Sequence, residues 1–287
     1  MATFLAYLTD THCGHVHGLM DPRTEVYDED MEGNLKPRPY ALNEVQRFLY
    51  ALYLDHLQAL QDIAGGEPIV VLHGGDIVHG DKYRDLLVSY RMADQIAIGV
   101  DVLDHICRIP NVKAIRLLSG TAAHNFGEGS AELLVRAELA ARHPELDLQV
   151  SQHGRYEIEG LLVDVAHHGP GPGIRHHTKG NQVRYYTRSL IDDDVFDQGP
   201  VPDLILRGHY HEFVWETLHY FLAQSLRTVH AFVGPTYCRM NFYSRQATRS
   251  KSRNDFGMIL FKIEDGEIAQ VRPLICTVDV RTKEILQ

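Results

Sequence analysis

Five short apolar runs in this chain each end in a turn that carries Asp or His, and this repetition constrains the fold more than any other feature. The turns are Asp10-Thr11-His12, Gly75-Asp76-Ile77-Val78-His79, Gly120-Thr121-Ala122-Ala123-His124, His167-His168-Gly169-Pro170 and Gly208-His209-Tyr210-His211. The runs before them, such as Thr3–Leu8 and Pro68–Leu72, read as buried strands. The ends of such strands lie along one edge of an α/β sheet, so residues distant in sequence converge there. Metals need deprotonated O and N donors held rigidly, and strand-end loops supply that rigidity.

Between the turns the pattern alternates with helices. Asn43-Glu44-Val45-Gln46 reads as a capping box, with Val45, Phe48, Leu49 and Leu52 at helical spacing and Gly65-Gly66 as the stop. Further helices are expected from Asp85 to Ile109, Ala131 to Arg142 and Asn181 to Phe196. Val112–Leu118 and Leu204–Leu206 read as strands, and Leu146–Val150 and Tyr156–Val165 as antiparallel strands. The tail from Val229 to Thr277 reads as several strands, with Asp265-Gly266 as a hairpin turn. The polar segment up to Tyr40 is long for a loop. No repeat or linker divides the chain, so one domain over residues 1–287 is expected.

Composition narrows the function classes. Hydrophobic residues make up 44% of the 287, which supplies a sizeable core. No apolar run reaches the ~18–20 residues that span a bilayer, and no signal peptide is expected at the N-terminus. Cys13, Cys107, Cys238 and Cys276 form no CxxC pair, which argues against a disulfide framework or a thiolate zinc site and for a reducing cytoplasm. A net charge of −10 excludes nucleic-acid binding through the whole surface. The 18 histidines are the abnormal number, and a metal enzyme needs them.

The order of the five turns resembles the calcineurin-like metallophosphoesterases, whose pattern is D-x-H, G-D-x-x-[DH], G-N-H, a lone H, then G-H-x-H. The resemblance runs from about Ala2 to Leu274. More narrowly, Gly18–Pro22, His167–Gly173 and Tyr237–Tyr243 are similar to the phage-encoded branch, which implies the host cytoplasm as the location. The family implies an α/β fold, a four-layer αββα sandwich of two mixed β-sheets flanked by helices. It implies two divalent metal ions, with Mn first and Fe, Zn or Ni as alternatives, because mixed N/O ligation suits them. By resemblance Asp10, His12 and His211 hold one ion, His168 and His209 hold the other, and Asp76 bridges. His168 is preferred over His167 because it precedes Gly169 and lies two before Pro170. The implied activity is hydrolysis of phosphodiesters or phosphomonoesters by a metal-bridging hydroxide.

The third turn departs from the family. Thr121 stands where the family has its Asn ligand, and His124, the candidate acid for the leaving group, is displaced by two residues. What fills the Asn position is left open. His79 reads as a partner orienting a ligand or as a plain turn residue. His15 and His17 read as pocket wall, and Cys13 as a buried bystander. Arg239, Arg245, Arg249 and Lys251, interleaved with aromatics, suggest an arm for an anionic substrate, and Arg175, Lys179, Arg184 and Arg188 add to it. A nucleotide or nucleic-acid substrate is therefore favoured over a phosphoprotein, with no membrane and no obligate protein partner. Two rival classes remain: a scaffold of this fold with weakened catalysis, and the metallo-β-lactamase fold. The second wants H-x-H-x-D-H early in the chain, which His15–Met20 does not match.

Overall fold

The structure, a computed structural model, describes residues 2–82, 84–124, 126, 130–171, 173, 176–222, 224–240 and 251–284. It is a mixed α/β chain with four α-helices among the described residues. The first half comprises β1 (Thr3–Leu8), β2 (Val26–Glu29), β3 (Leu35–Arg38), α1 (Glu44–Ala64), β4 (Ile69–His73), α2 (Met92–Cys107), β5 (Val112–Leu118) and α3 (Ser130–Arg142). The second comprises β6 (Asp147–Ser151), β7 (His153–Ile158), β8 (Leu161–Ala166), α4 (Asn181–Phe196), β9 (Leu204–Arg207), β10 (Val214–Leu222), β11 (Ser225–Val233), β12 (Arg253–Glu264) and β13 (Glu267–Asp279).

Two large sheets are mixed. The six-stranded one runs β13-β12-β1-β4-β5-β6, with β1, β4, β5 and β6 parallel and the last two strands of the chain antiparallel. The five-stranded one runs β10-β11-β9-β8-β7, with a parallel centre of β11, β9 and β8. The β2–β3 hairpin stands apart, inside the segment read from sequence as a loop.

The core has three parts. Leu5, Tyr7 and Leu72 of the first sheet pack with Val163, Val165, Leu206 and Phe232 of the second. The other side of the first sheet packs Leu49, Tyr53, Ile98, Val102 and Val135 from α1, α2 and α3. Val183 and Ile191 of α4 cover the outer side of the second sheet, against Ile205, Val214 and Ala231. Each buried Leu, Val or Ile contributes roughly 1.5–3 kcal/mol, so three clusters of this kind fix the sheets firmly.

The capping box of α1 is present: Asn43 Oδ1 accepts from Gln46 N at 3.0 Å, and Gln46 Oε1 accepts from Asn43 N at 3.3 Å. Gly65, with φ of 57°, ends the helix in the left-handed conformation. The buried stripe includes Leu49, Tyr53, Leu57 and Leu60, while Phe48 faces outward.

Four local expectations are corrected. The stretch from Asp85 to Ile109 is not one helix. A 3-10 turn at Arg84–Leu86 precedes α2, and Ser89 Oγ donates to Asp94 Oδ2 at 2.6 Å across the break. The Leu146–Val150 run is β6, parallel to β5 and in a different sheet from β7. Tyr156–Val165 is a hairpin, not one strand, because Glu159 and Gly160 both take positive φ between β7 and β8. β10 lies ahead of the region read as strands.

Candidate metal centre

The parallel strands carry all five turns to one place. Asp10, Asp76 and Thr121 follow the C-terminal ends of β1, β4 and β5, and His167 and His209 follow those of β8 and β9. Backbone hydrogen bonds stitch the turns together: Asp10 N donates to Gly75 O and His12 N to Asp76 O, both at 3.0 Å, and Gly208 N to His167 O at 2.9 Å. The second sheet reaches the first through His209 N, which donates to Asp10 Oδ2 at 2.9 Å.

The backbone is strained at the candidate ligands. Asp10, His12, Asp76, His209 and His211 all have positive φ, between 44° and 74°. Each such residue costs on the order of 1 kcal/mol or more, and this strain gathers at functional sites. Gly120 is required for a different reason: a Cβ there would lie 2.0 Å from Asp76 Oδ1.

Each carboxylate is held by one oxygen and turns the other inward. Asp10 Oδ2 accepts from Thr9 Oγ1 at 2.7 Å and from His209 N, while Oδ1, buried and without a hydrogen-bond partner, lies 3.1 Å from His211 Nε2 and 3.7 Å from His12 Nε2. Asp76 Oδ1 accepts from Thr121 N at 2.6 Å. Asp76 Oδ2 lies 3.1 Å from His167 Nε2 and 3.9 Å from His12 Nε2. It therefore faces both halves of the site.

Among the described residues four groups of three donors result: Asp10, His12 and His211; Asp10, Asp76 and His167; His167, His168 and His209; and His12, His79 and His124. His12 Nε2 and His211 Nε2 approach to 3.1 Å, nitrogens converging as ligands of one cation do. The donor set of imidazoles and carboxylates, with a buried carboxylate oxygen free of hydrogen bonds, fits divalent transition metals.

The geometry divides the His167-His168 pair. His167 is buried and beside Asp76, whereas His168 is exposed and joins the site only through the group with His209. His167 Nδ1 donates to Gly74 O at 2.8 Å, which leaves Nε2 facing the site. Thr121 Oγ1 stands within 3.2 Å of His167 Nε2 and His209 Nδ1 and 3.3 Å of Asp76 Oδ2. The hydroxyl thus sits among the donors at the position the sequence left open. His124 Nδ1 donates to His79 O at 2.6 Å, and its ring meets His12 edge-on at 4.7 Å between centroids. His79 Nδ1 lies 3.3 Å from His12 Nδ1, and the buried His15 ring is 4.4 Å from that of His79.

Burial sets the electrostatics. It would raise the carboxyl of Asp10, but His211 and His12 outweigh it and hold the group well below the usual range. Asp76 is likewise held low against its burial, chiefly by His167. Burial pushes His12 and His209 down to about 4, so both rings are neutral and ready to ligate at pH 7. His167 is the exception: burial lowers it, but Asp76 and Asp10 raise it to about 9.

Sequence reasoning missed the supports. Thr236 Oγ1 donates to Asp10 O at 2.8 Å, and His73 lies under Thr11 at 3.2 Å. The buried Arg207 pairs with Asp164 at 2.5 Å below the fourth turn. Lys251, read as substrate-binding, is paired with Glu212 at 2.9 Å and reaches His211 O at 3.4 Å, which braces the fifth turn. Arg239 N donates to His17 O. Arg245 and Arg249 lie outside the described residues.

No family model matches this chain, and no curated protein matches it. Nineteen chains of solved structures match. Among them is a protein of unknown function from Aquifex aeolicus, 13% identical, with a TM-score of 0.33, covering 73% of this chain and 80% of that one. Among the described residues no helix is long and apolar enough to cross a membrane.

Proposed function

We propose that this chain is a dinuclear metal-dependent phosphoesterase with the four-layer αββα architecture of the calcineurin-like enzymes. The observation that carries the reading is Asp76 Oδ2, which faces His12 on one side and His167 on the other. A single carboxylate between two imidazole-lined halves suits a pair of cations ~3.5–4 Å apart. Asp10, His12 and His211 would hold one ion, and His167 and His209 the other, with His168 beside it. Two divalent ions supply Lewis acidity toward a phosphoryl group and lower the pKa of water. Manganese is the first candidate, with iron, zinc and nickel behind it.

The chain's own residues do the rest. Asp10 and Asp76 stay ionised at neutral pH, held low by the histidines around them. His124 has its tautomer set by His79 O, which leaves Nε2 to carry a proton to a departing alkoxide. His79 steadies the His12 ring from behind. A nucleotide or nucleic-acid substrate remains the favoured class, on the basic and aromatic residues around Arg239.

The test is a screen of manganese-loaded protein against p-nitrophenyl phosphate, bis-p-nitrophenyl phosphate, cyclic nucleotides and short oligonucleotides. Turnover that follows metal content supports the reading. Two bound metals with no turnover on any ester would favour a scaffold that has lost catalysis. For His124→Ala, a loss of about 10²–10⁴-fold is expected with alkyl leaving groups and far less with p-nitrophenolate, which needs no proton to depart.

A further inference from the structure

The two large sheets have four outer strands, β13, β6, β10 and β7. Three of them carry devices that discourage pairing with another chain. β6 is only five residues long. β7 presents Glu157, exposed and in no ion pair among the described residues, beside Arg155, which is paired with Asp194 at 3.0 Å. β13 has Pro273 in mid-strand next to Arg272. β10 has none of these: it is nine residues long, with no Lys, Arg or Pro. Its one charge, Glu216, is tied to Arg184 of α4 at 2.5 Å.

Among the described residues no strand pairs with the outer edge of β10, and that edge is self-complementary. Leu222 pairs with Ser225 across the two-residue connection to β11, so the even-numbered residues of β10 bond to β11. The N–H and C=O groups of Trp215, Thr217, His219 and Phe221 therefore point to the open edge. Those four side chains share one face, opposite the face covered by α4. Trp215 is 43% exposed and Phe221 77%.

We propose that β10 pairs with β10 of a second copy of this chain, antiparallel about a two-fold axis at Leu218. That register sets Trp215 opposite Phe221 and Thr217 opposite His219, with each pair exchanging backbone hydrogen bonds. No like charges meet, because Glu216 falls opposite Tyr220. With sheets about 10 Å thick, a paired strip about 30 Å long covers about 300 Å² per protomer beside its ladder of hydrogen bonds. That is the size of a weak, concentration-dependent contact.

Sedimentation velocity over about 1–100 μM tests this, since a dimer population must follow concentration. The expected species has twice the 32.6 kDa mass of the chain. Thr217→Pro removes an N–H that points to the open edge and spares the bonds to β11. Phe221→Lys puts a charge opposite Trp215 without touching the backbone. Each is expected to return the protein to 32.6 kDa with its circular dichroism unchanged. If Thr217→Pro fails to fold, Phe221→Lys carries the test alone. A wild-type chain that stays monomeric throughout, or a dimer that survives Phe221→Lys, would overturn the proposal.

Discussion

Asp76 and His167 face each other at 3.1 Å in the buried centre of the site, one from the end of the first sheet and one from the end of the second. The carboxylate has its other oxygen fixed by Thr121 N, and the imidazole has its other nitrogen fixed by Gly74 O. Neither group can turn away without breaking a buried hydrogen bond, which costs about 1–3 kcal/mol. The inner oxygen and nitrogen are therefore preset.

Asp76→Asn keeps the shape of the side chain and removes its charge. Turnover on a phosphodiester is expected to fall by at least ~10²-fold, the scale of a lost electrostatic stabiliser. Metal content should fall from two ions per chain to one or none. A variant with near-normal rate and two metals would remove Asp76 from the bridging position.

His167 and His168 separate by metal binding and by pH. Because the metal-free His167 is held up at about 9, it carries a proton at pH 7.5 that a metal must displace. Affinity should therefore rise with pH up to about 9 and fall as pH drops. Titration calorimetry in two buffers of different ionisation enthalpy should show about one proton released on loading wild type. His167→Ala should lose that release and one metal, while His168→Ala should keep the release. The reverse outcome would restore His168 as the ligand.

Glu132 of α3 gives a stability prediction for the metal-free protein. It is buried, and burial raises its pKa from 4.5 to about 7 against the backbone N–H groups of Glu132 and Gly120, with the charge of Asp76 adding to the shift. A raised acid favours its protonated form in the folded chain. Its contribution is thus complete below 4.5 and is lost as pH rises through about 7. Glu132→Gln should flatten that slope and be more stable than wild type at pH 8 by roughly 1–3 kcal/mol. Denaturant melts at pH 5 and pH 8 measure it, and an unchanged slope would mean that Glu132 is ionised in the fold.

Much of this layout is legible in the sequence, for physical reasons. A strand buried on both faces is a continuous apolar run, so β1 and β4 stand out, and the polar turn after each marks its end. The capping box of α1 is equally local. What could not be read depends on contacts far apart in the chain. Thr236 supporting Asp10 spans 226 residues, and Lys251 bracing His211 spans 40. The pairing of Lys251 with Glu212 could not be read either, because the two lie 39 residues apart and nothing local marks Glu212 as a partner. The burial of the pair was readable: along β8, Val163 and Val165 point inward, and the same alternation carries His167 inward and His168 out.

The most direct test of a two-metal phosphoesterase is one preparation measured twice, for metal by elemental analysis and for hydrolysis of bis-p-nitrophenyl phosphate. After chelation and reloading with Mn²⁺, two ions per chain and restored turnover are expected, both absent from the chelated sample. Full hydrolysis by protein verified as metal-free would contradict it.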